Sequence, residues 1–210
     1  MPPPDSFPDR LHAGRQLGDR LRDRHIEADI VLAVPRGGLP LGRAVADALD
    51  APLDIVVAQK IGAPDNPEYA IGAVASDGSV WRNDRAFELH DINEAYFETE
   101  RKKKAQIARE KVREYGAGDS PPDVRDATVV VVDDGVATGA TMRACLQQLQ
   151  NAGAGRIVVA LPVGPPDTVR ALASVADEVI CLLTPSHFRS VGEFYRRFEQ
   201  VSDDEAMGYL

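Results

Sequence analysis

An α/β domain built on a parallel sheet is the fold class this sequence predicts, and three observations predict it. Short β-branched runs alternate with longer stretches of helical period and no internal repeat. Thr128-Val129-Val130-Val131-Val132 sets five β-branched residues in a row, as in a central strand covered on both faces. Helical stretches of about ten residues separate the later strands, as right-handed βαβ crossovers require. A chain of 210 residues, 44% of them hydrophobic, suffices for one domain with a full core.

Taken in order, residues 30–34 form a near-continuous apolar strand that ends in Pro35-Arg36-Gly37-Gly38. A helical pattern follows to about Leu49, with Leu41, Val45, Ala48 and Leu49 on it. The next strand spans 53–58, with Lys60 closing it and a Gly/Pro/Asn-rich loop beyond. Residues 69–75 and 79–81 flank Ser76-Asp77-Gly78 and read as a hairpin, because Asp-Gly suits a tight turn. From 93 to 115 the chain is charged and helical, with Ala105, Ala108, Val112 and Tyr115 on one face, and a linker at 116–122 ends it. After strand 128–132 come helix 141–150, strand 157–161, helix 166–175 and strand 178–183. The residues from Thr184 onward have no strand partner in this scheme, and with the first 25 they are expected to cap the sheet.

Composition narrows the function classes. With 24 basic and 33 acidic residues the net charge is −9, which disfavours a nucleic-acid binder. The segment Met1-Pro2-Pro3-Pro4-Asp5 lacks the basic and apolar regions of a secretory signal, and no apolar run is long enough to span a membrane. Cys145 and Cys181 match no zinc or redox spacing. A soluble, reduced, cytoplasmic protein is expected. The basic run Arg101-Lys102-Lys103-Lys104 is interleaved with glutamates and reads as a solvated helix face. His12, His25, His90 and His187 show no ligand spacing.

In an open α/β sheet, ligands bind where strands end and helices begin. After the purest strand, Asp133 and Asp134 are followed by Gly135-Val136-Ala137-Thr138-Gly139-Ala140-Thr141. Unpaired N–H groups at a helix start favour an anion, small residues leave room for it, and Thr138 and Thr141 can donate hydroxyls. No lysine follows a glycine anywhere, which excludes a Walker-type P-loop, so the cradle suits one monophosphate. The two aspartates can accept from a vicinal diol or help position a metal. Phosphate beside a diol describes a ribose 5-phosphate. The second junction, Pro35-Arg36-Gly37-Gly38, combines close backbone approach with a fork-shaped cation suited to phosphate.

The stretch 129–141 resembles the phosphoribosyl-pyrophosphate motif of the type I phosphoribosyltransferases: hydrophobic run, two acids, loop, Thr-Gly-x-Thr. The resemblance covers about 28–183 in element order, and the whole chain looks most like predicted members without an assigned substrate. It implies a single domain over 1–210, with a core at 28–183, a hood from 1–25 and 184–210, and a mobile loop and hairpin. It implies Mg²⁺-dependent transfer of ribose 5-phosphate from phosphoribosyl pyrophosphate to a nitrogen base, as in nucleotide metabolism, by a homodimer. A phosphoribosyl-pyrophosphate-sensing regulator on the same fold is the alternative. By resemblance, Asp133 and Asp134 hold the ribose hydroxyls and Mg²⁺, the latter through ligand or water, while Gly135 and residues 137–141 hold the 5-phosphate. Arg36, Gly37, Gly38 and Lys60 would hold pyrophosphate, with a cis Pro35–Arg36 peptide aiming the amides. Lys60 would begin a mobile loop that closes over the site and carries Asp65 and Glu68. Ala137 stands where hypoxanthine and guanine salvage relatives carry an aspartate, so proton transfer falls to that loop or to the acceptor. Phe188, Phe194 and Tyr195 could stack on a flat acceptor or pack in the core.

Overall fold

The structure, a computed structural model, describes residues 6–115 and 122–210. Met1-Pro2-Pro3-Pro4-Asp5 and most of the expected linker, residues 116–121, lie outside the described residues.

Five parallel strands form the main sheet in the order β2-β1-β6-β7-β8. They are β1 (Ile30–Ala33), β2 (Leu53–Ile55), β6 (Thr128–Val132), β7 (Arg156–Val163) and β8 (Glu178–Leu183). The strand expected at the centre, β6, is at the centre, and all four of its valines are 0% exposed. Its side chains alternate between two layers. Val129 and Val131 pack with Met142, Leu146 and Leu149 of α5 (Ala140–Asn151), and with Leu172 of α6 (Pro166–Leu172). Val130 and Val132 pack with Leu17 and Leu21 of α1 (Arg10–Asp23), and with Leu41 and Val45 of α2 (Gly38–Leu49). Each such side chain contributes about 1.5–3 kcal/mol of burial, so this strand anchors whatever its carboxyl end carries.

A second, antiparallel sheet contains β3 (Ala58–Gly62), β4 (Ala70–Ala75) and β5 (Val80–Arg82) in that order. Here the structure corrects the sequence. The expected strand 53–58 is two strands: β2 ends at Ile55, and β3 begins at Ala58 in the other sheet. Lys60 lies inside β3, paired with Ala73, rather than closing the second strand of the main sheet. Val56 and Val57 are themselves buried, so the apolar run continues across the break and hides it. One face of the small sheet, with Val74 and Val80, meets Phe87 of α3 (Asp84–His90) and Phe97 of α4 (Glu94–Glu114). Helix α3 was not expected; α4 was, and it buries Ala105, Ala108 and Tyr115 as the spacing implies.

The two ends of the chain meet. Phe7 and Tyr195 form an isolated parallel bridge beside a short 3₁₀ turn, Val191–Phe194. Helix α1 itself covers one face of the main sheet, and its first turn is what touches the C-terminal segment. That segment closes with α7 (Asp203–Met207).

Candidate active site

Strand β6 carries Asp133 and Asp134 out of the sheet at its carboxyl edge. Asp133 Oδ1 accepts from the Asp134 amide at 2.8 Å, which folds that carboxylate back over its own backbone. Asp134 Oδ2 accepts from Arg10 Nε at 2.8 Å, and Arg10 Nη1 donates to the Glu199 carbonyl at 2.7 Å. The Arg10 guanidinium also lies 3.8 Å from the centre of the Phe198 ring. The Tyr195 hydroxyl donates to the Asp134 carbonyl at 2.6 Å. Both ends of the chain therefore grip the second acid. Burial pushes the Asp133 carboxyl well above the usual carboxylate range, and the Asp134 charge adds to the shift. Burial raises Asp134 too, but Arg10 opposes it. Burial and the Asp134 charge push the Tyr195 phenol up.

Past the acids the chain enters the loop that opens α5. Gly139 has φ 73, a left-handed conformation suited to glycine, and its carbonyl accepts from the Arg143 amide at 2.9 Å. Thr138 Oγ1 accepts weakly from the Ala140 amide at 3.4 Å, while the Ala137 carbonyl accepts from the Thr168 hydroxyl at 2.8 Å. This peptide is thereby turned toward α6, away from the helix start. A cavity of about 160 Å³ lies over the turn, lined by Asp133, Gly135 and residues 136–142. The whole expected cradle is thus brought together around one space at a positive helix end.

The β1–α2 junction faces the same acids. A Cβ on Gly37 would lie 2.0 Å from Asp134 Oδ2, and one on Gly38 would lie 2.8 Å from the Val132 carbonyl oxygen. Only glycine admits this approach. The Pro35–Arg36 peptide is cis, as the resemblance implied. Arg36 Nη1 pairs with Asp203 Oδ2 at 3.1 Å, and Asp203 Oδ1 accepts from the Tyr115 hydroxyl at 2.6 Å. The Tyr115 bond and the Arg36 and Lys111 charges hold the Asp203 carboxyl below its usual range.

Lys60 and Glu68 form their own pair, Nζ to Oε2 at 3.0 Å, with the Glu68 carbonyl accepting at 3.2 Å. No hydrogen bond or ion pair joins either residue to Arg36 or to 133–141 among the described residues. Phe194 and Tyr195 are core residues at 4% exposure, and half-buried Phe188 stacks on Phe194 at 5.5 Å. Sequence reasoning missed Arg10, Tyr115 and Asp203. Arg10 lies 124 positions before its carboxylate in a helix of ordinary composition, and nothing local marks it. Among the described residues no cluster of three or more His, Cys, Asp or Glu could hold a metal, and no helix is long and apolar enough to cross a membrane.

A fold with acids, anion cradle and glycine loop at the carboxyl edge of one sheet defines a class, and the sequence matches it. Residues 9–198 match the phosphoribosyl transferase domain, and the chain belongs to that family. It is 43% identical over 205 residues to two Mycobacterium tuberculosis proteins whose phosphoribosyl transferase names are assigned by inference. The match takes in 97% of this chain and 46% of theirs, so the chain spans about half the length of these curated relatives. It is also similar to the crystal structure of TT1426 from Thermus thermophilus, with 37% identity, TM-score 0.81 and 97% coverage of both chains.

Proposed function

We propose that the chain transfers ribose 5-phosphate from phosphoribosyl pyrophosphate to a nitrogen of a base, with Mg²⁺ and release of pyrophosphate. One observation carries this reading. The central strand ends in two acids that lie against a glycine loop, and the first of them, Asp133, also lines a cavity at the start of α5. A sugar with a phosphate at one end and a leaving group at the other needs that order of acceptors and donors.

In this reading Asp133 and Asp134 accept from the ribose hydroxyls, and Arg10 favours the charged form of Asp134 against the effect of burial. The amides of 139–141 with the Thr138 and Thr141 hydroxyls hold the 5-phosphate, and Gly135, Ala137, Gly139 and Ala140 leave it room. Arg36, Gly37 and Gly38 hold the pyrophosphate, Arg36 exchanging Asp203 for it. Lys60 joins when its loop closes, exchanging Glu68 for the pyrophosphate, and Glu68, carried by the same loop, then accepts the acceptor's proton. Magnesium supplies neutralisation of the pyrophosphate. It usually takes one or two carboxylates plus substrate phosphates, and Asp133, buried and in no ion pair among the described residues, fits that donor set. Chemistry at C1 breaks the bond to pyrophosphate through a cationic ribose, so the chain's contribution is positioning and electrostatics.

The test is pyrophosphate release from phosphoribosyl pyrophosphate and Mg²⁺ across purine and pyrimidine bases. Turnover with at least one base, lost in Asp133→Asn, is expected. Binding without turnover on every base would replace the enzyme by a sensor, and no binding would refute both.

A further inference from the structure

Arg143 stands in the second turn of α5, and it has no acid. Its Nε is buried with no hydrogen-bond partner, and no ion pair reaches the guanidinium among the described residues. Burial alone acts on it, holding it below the usual arginine range. In a chain with 33 acidic residues, a half-buried cation without one is an anomaly that asks for a ligand. The guanidinium lies over Trp81, whose ring centre is 5.3 Å away.

The small sheet shows what else is near. Lys60 pairs with Ala73, and Ala73 with Trp81, so the three share one face across β3, β4 and β5. That face meets α5, because Ala73 and Trp81 pack with Met142. At the far end of α5, Asn151 donates to Ser79 at 2.9 Å and Gln148 accepts from Ser76 at 3.5 Å, both at the hairpin turn. The Lys60–Ala73–Trp81 row therefore passes beneath the beginning of α5. Helical side chains lean toward the N-terminus, which brings the Arg143 fork toward the positive end of the helix.

We propose that Arg143, seated on Trp81, binds a phosphate group at a site beside the cradle of 137–141, with Lys60 on the same sheet face. The Arg143 guanidinium and a positive helix end suit a dianionic phosphate, two of whose oxygens the guanidinium can take at once, and Lys60 joins by exchanging Glu68 for it. Arg143 does not line the cavity over Asp133, so this site is separate from the 5-phosphate cradle. The phosphate belongs either to phosphoribosyl pyrophosphate or to a second phosphorylated ligand. The proposal extends the reading above, yet it can fail alone.

Trp81 is the single tryptophan of the chain, so its fluorescence reports this site directly. Titration of the wild-type chain with inorganic phosphate should give a saturable change in Trp81 emission. In Arg143→Gln that change should weaken by at least about tenfold, as loss of a charge-assisted pair implies, while the unfolding temperature holds or rises. Asp133→Asn should keep the change while losing phosphoribosyl-pyrophosphate binding, which separates the two sites. If prior phosphoribosyl pyrophosphate removes the response, the phosphate is the co-substrate's own. If both bind together, it belongs to a second ligand. An absent response, an unaltered one in Arg143→Gln, or an Arg143→Gln that unfolds at markedly lower temperature while Arg143→Lys does not, would overturn the proposal.

Discussion

At the β1–α2 junction the charged group, Arg36, already has a carboxylate partner 3.1 Å away in α7. At the β6–α5 junction the charge is negative, Asp134 holds Arg10, and Asp133 beside it makes no ion pair of its own among the described residues, feeling only the charge of Arg10. The first junction is neutralised from the exposed C-terminal helix and can exchange its partner for an anion. The second is neutralised only by half, deep against the sheet, and stores an unfavourable carboxylate where a diol or a cation would relieve it. The difference teaches that the two junctions are neutralised differently along this edge: Arg10–Asp134 ties the acids to the chain ends, while in the proposed reading Asp133 and Arg36 are the groups whose environment a ligand changes most.

Breaking the structural pair should have the largest effect. Arg10→Met leaves two adjacent acids with no cation, both formerly sheltered, and urea unfolding at pH 7 should show a loss of about 3–5 kcal/mol. The loss should shrink as the pH falls, because burial raises Asp134 and, without Arg10 to oppose it, the carboxyl takes up a proton more readily. A result within error of wild type would mean that the ends of the chain do not brace the site.

Gly37→Ala tests how closely the two junctions approach. Its Cβ would meet Asp134 Oδ2 at 2.0 Å, so the carboxylate or the loop must move. Overpacking of this kind costs about 1–3 kcal/mol. Calorimetry should also show phosphoribosyl pyrophosphate binding at least about tenfold more weakly. An unchanged affinity would separate the glycine loop from the acids.

Asp133→Asn should act in the opposite direction on stability. The folded-state pKa of Asp133 lies above the ordinary value of 3.8, so the folded chain keeps a proton that the unfolded chain releases. Stability therefore falls as pH rises from about 4 through the raised value. Asparagine has no such proton, so the variant should be more stable at pH 7 by about 1 kcal/mol and show a flatter pH dependence. Its melting temperature should rise by about 2–4 °C. A variant less stable than wild type at pH 7 would mean that Asp133 is not strained. Smallest of all is Asp203→Asn on the exposed side: no resolvable change in melting temperature, with tighter pyrophosphate binding as Arg36 is freed.

The main sheet was legible because parallel strands covered on both faces leave apolar runs, and 128–132 is such a run. The cradle was legible because its chemistry is contiguous, from Asp133 to Thr141. The break between β2 and β3 was not, since buried Val56 and Val57 bridge two sheets without a polar or glycine signal. Lys60 was placed at a strand end for that reason. The partners of the site residues were hidden by distance along the chain. Nothing near Asp134 announces Arg10, and nothing near Arg36 announces Asp203, because salt bridges between chain ends leave no periodic trace. Of the two roles the sequence leaves open for Tyr195, stacking or core packing, it takes the core one, and its hydroxyl reaches the Asp134 carbonyl.

The central claim is that the β6–α5 junction receives a ribose 5-phosphate, and a crystal soaked with phosphoribosyl pyrophosphate and Mg²⁺ tests it most directly. The phosphate should sit over the first turn of α5 at residues 138–141, with the ribose hydroxyls on Asp133 and Asp134 and the pyrophosphate toward Arg36 and Gly37. Full occupancy elsewhere on the molecule, with this cavity left to solvent, would contradict the account.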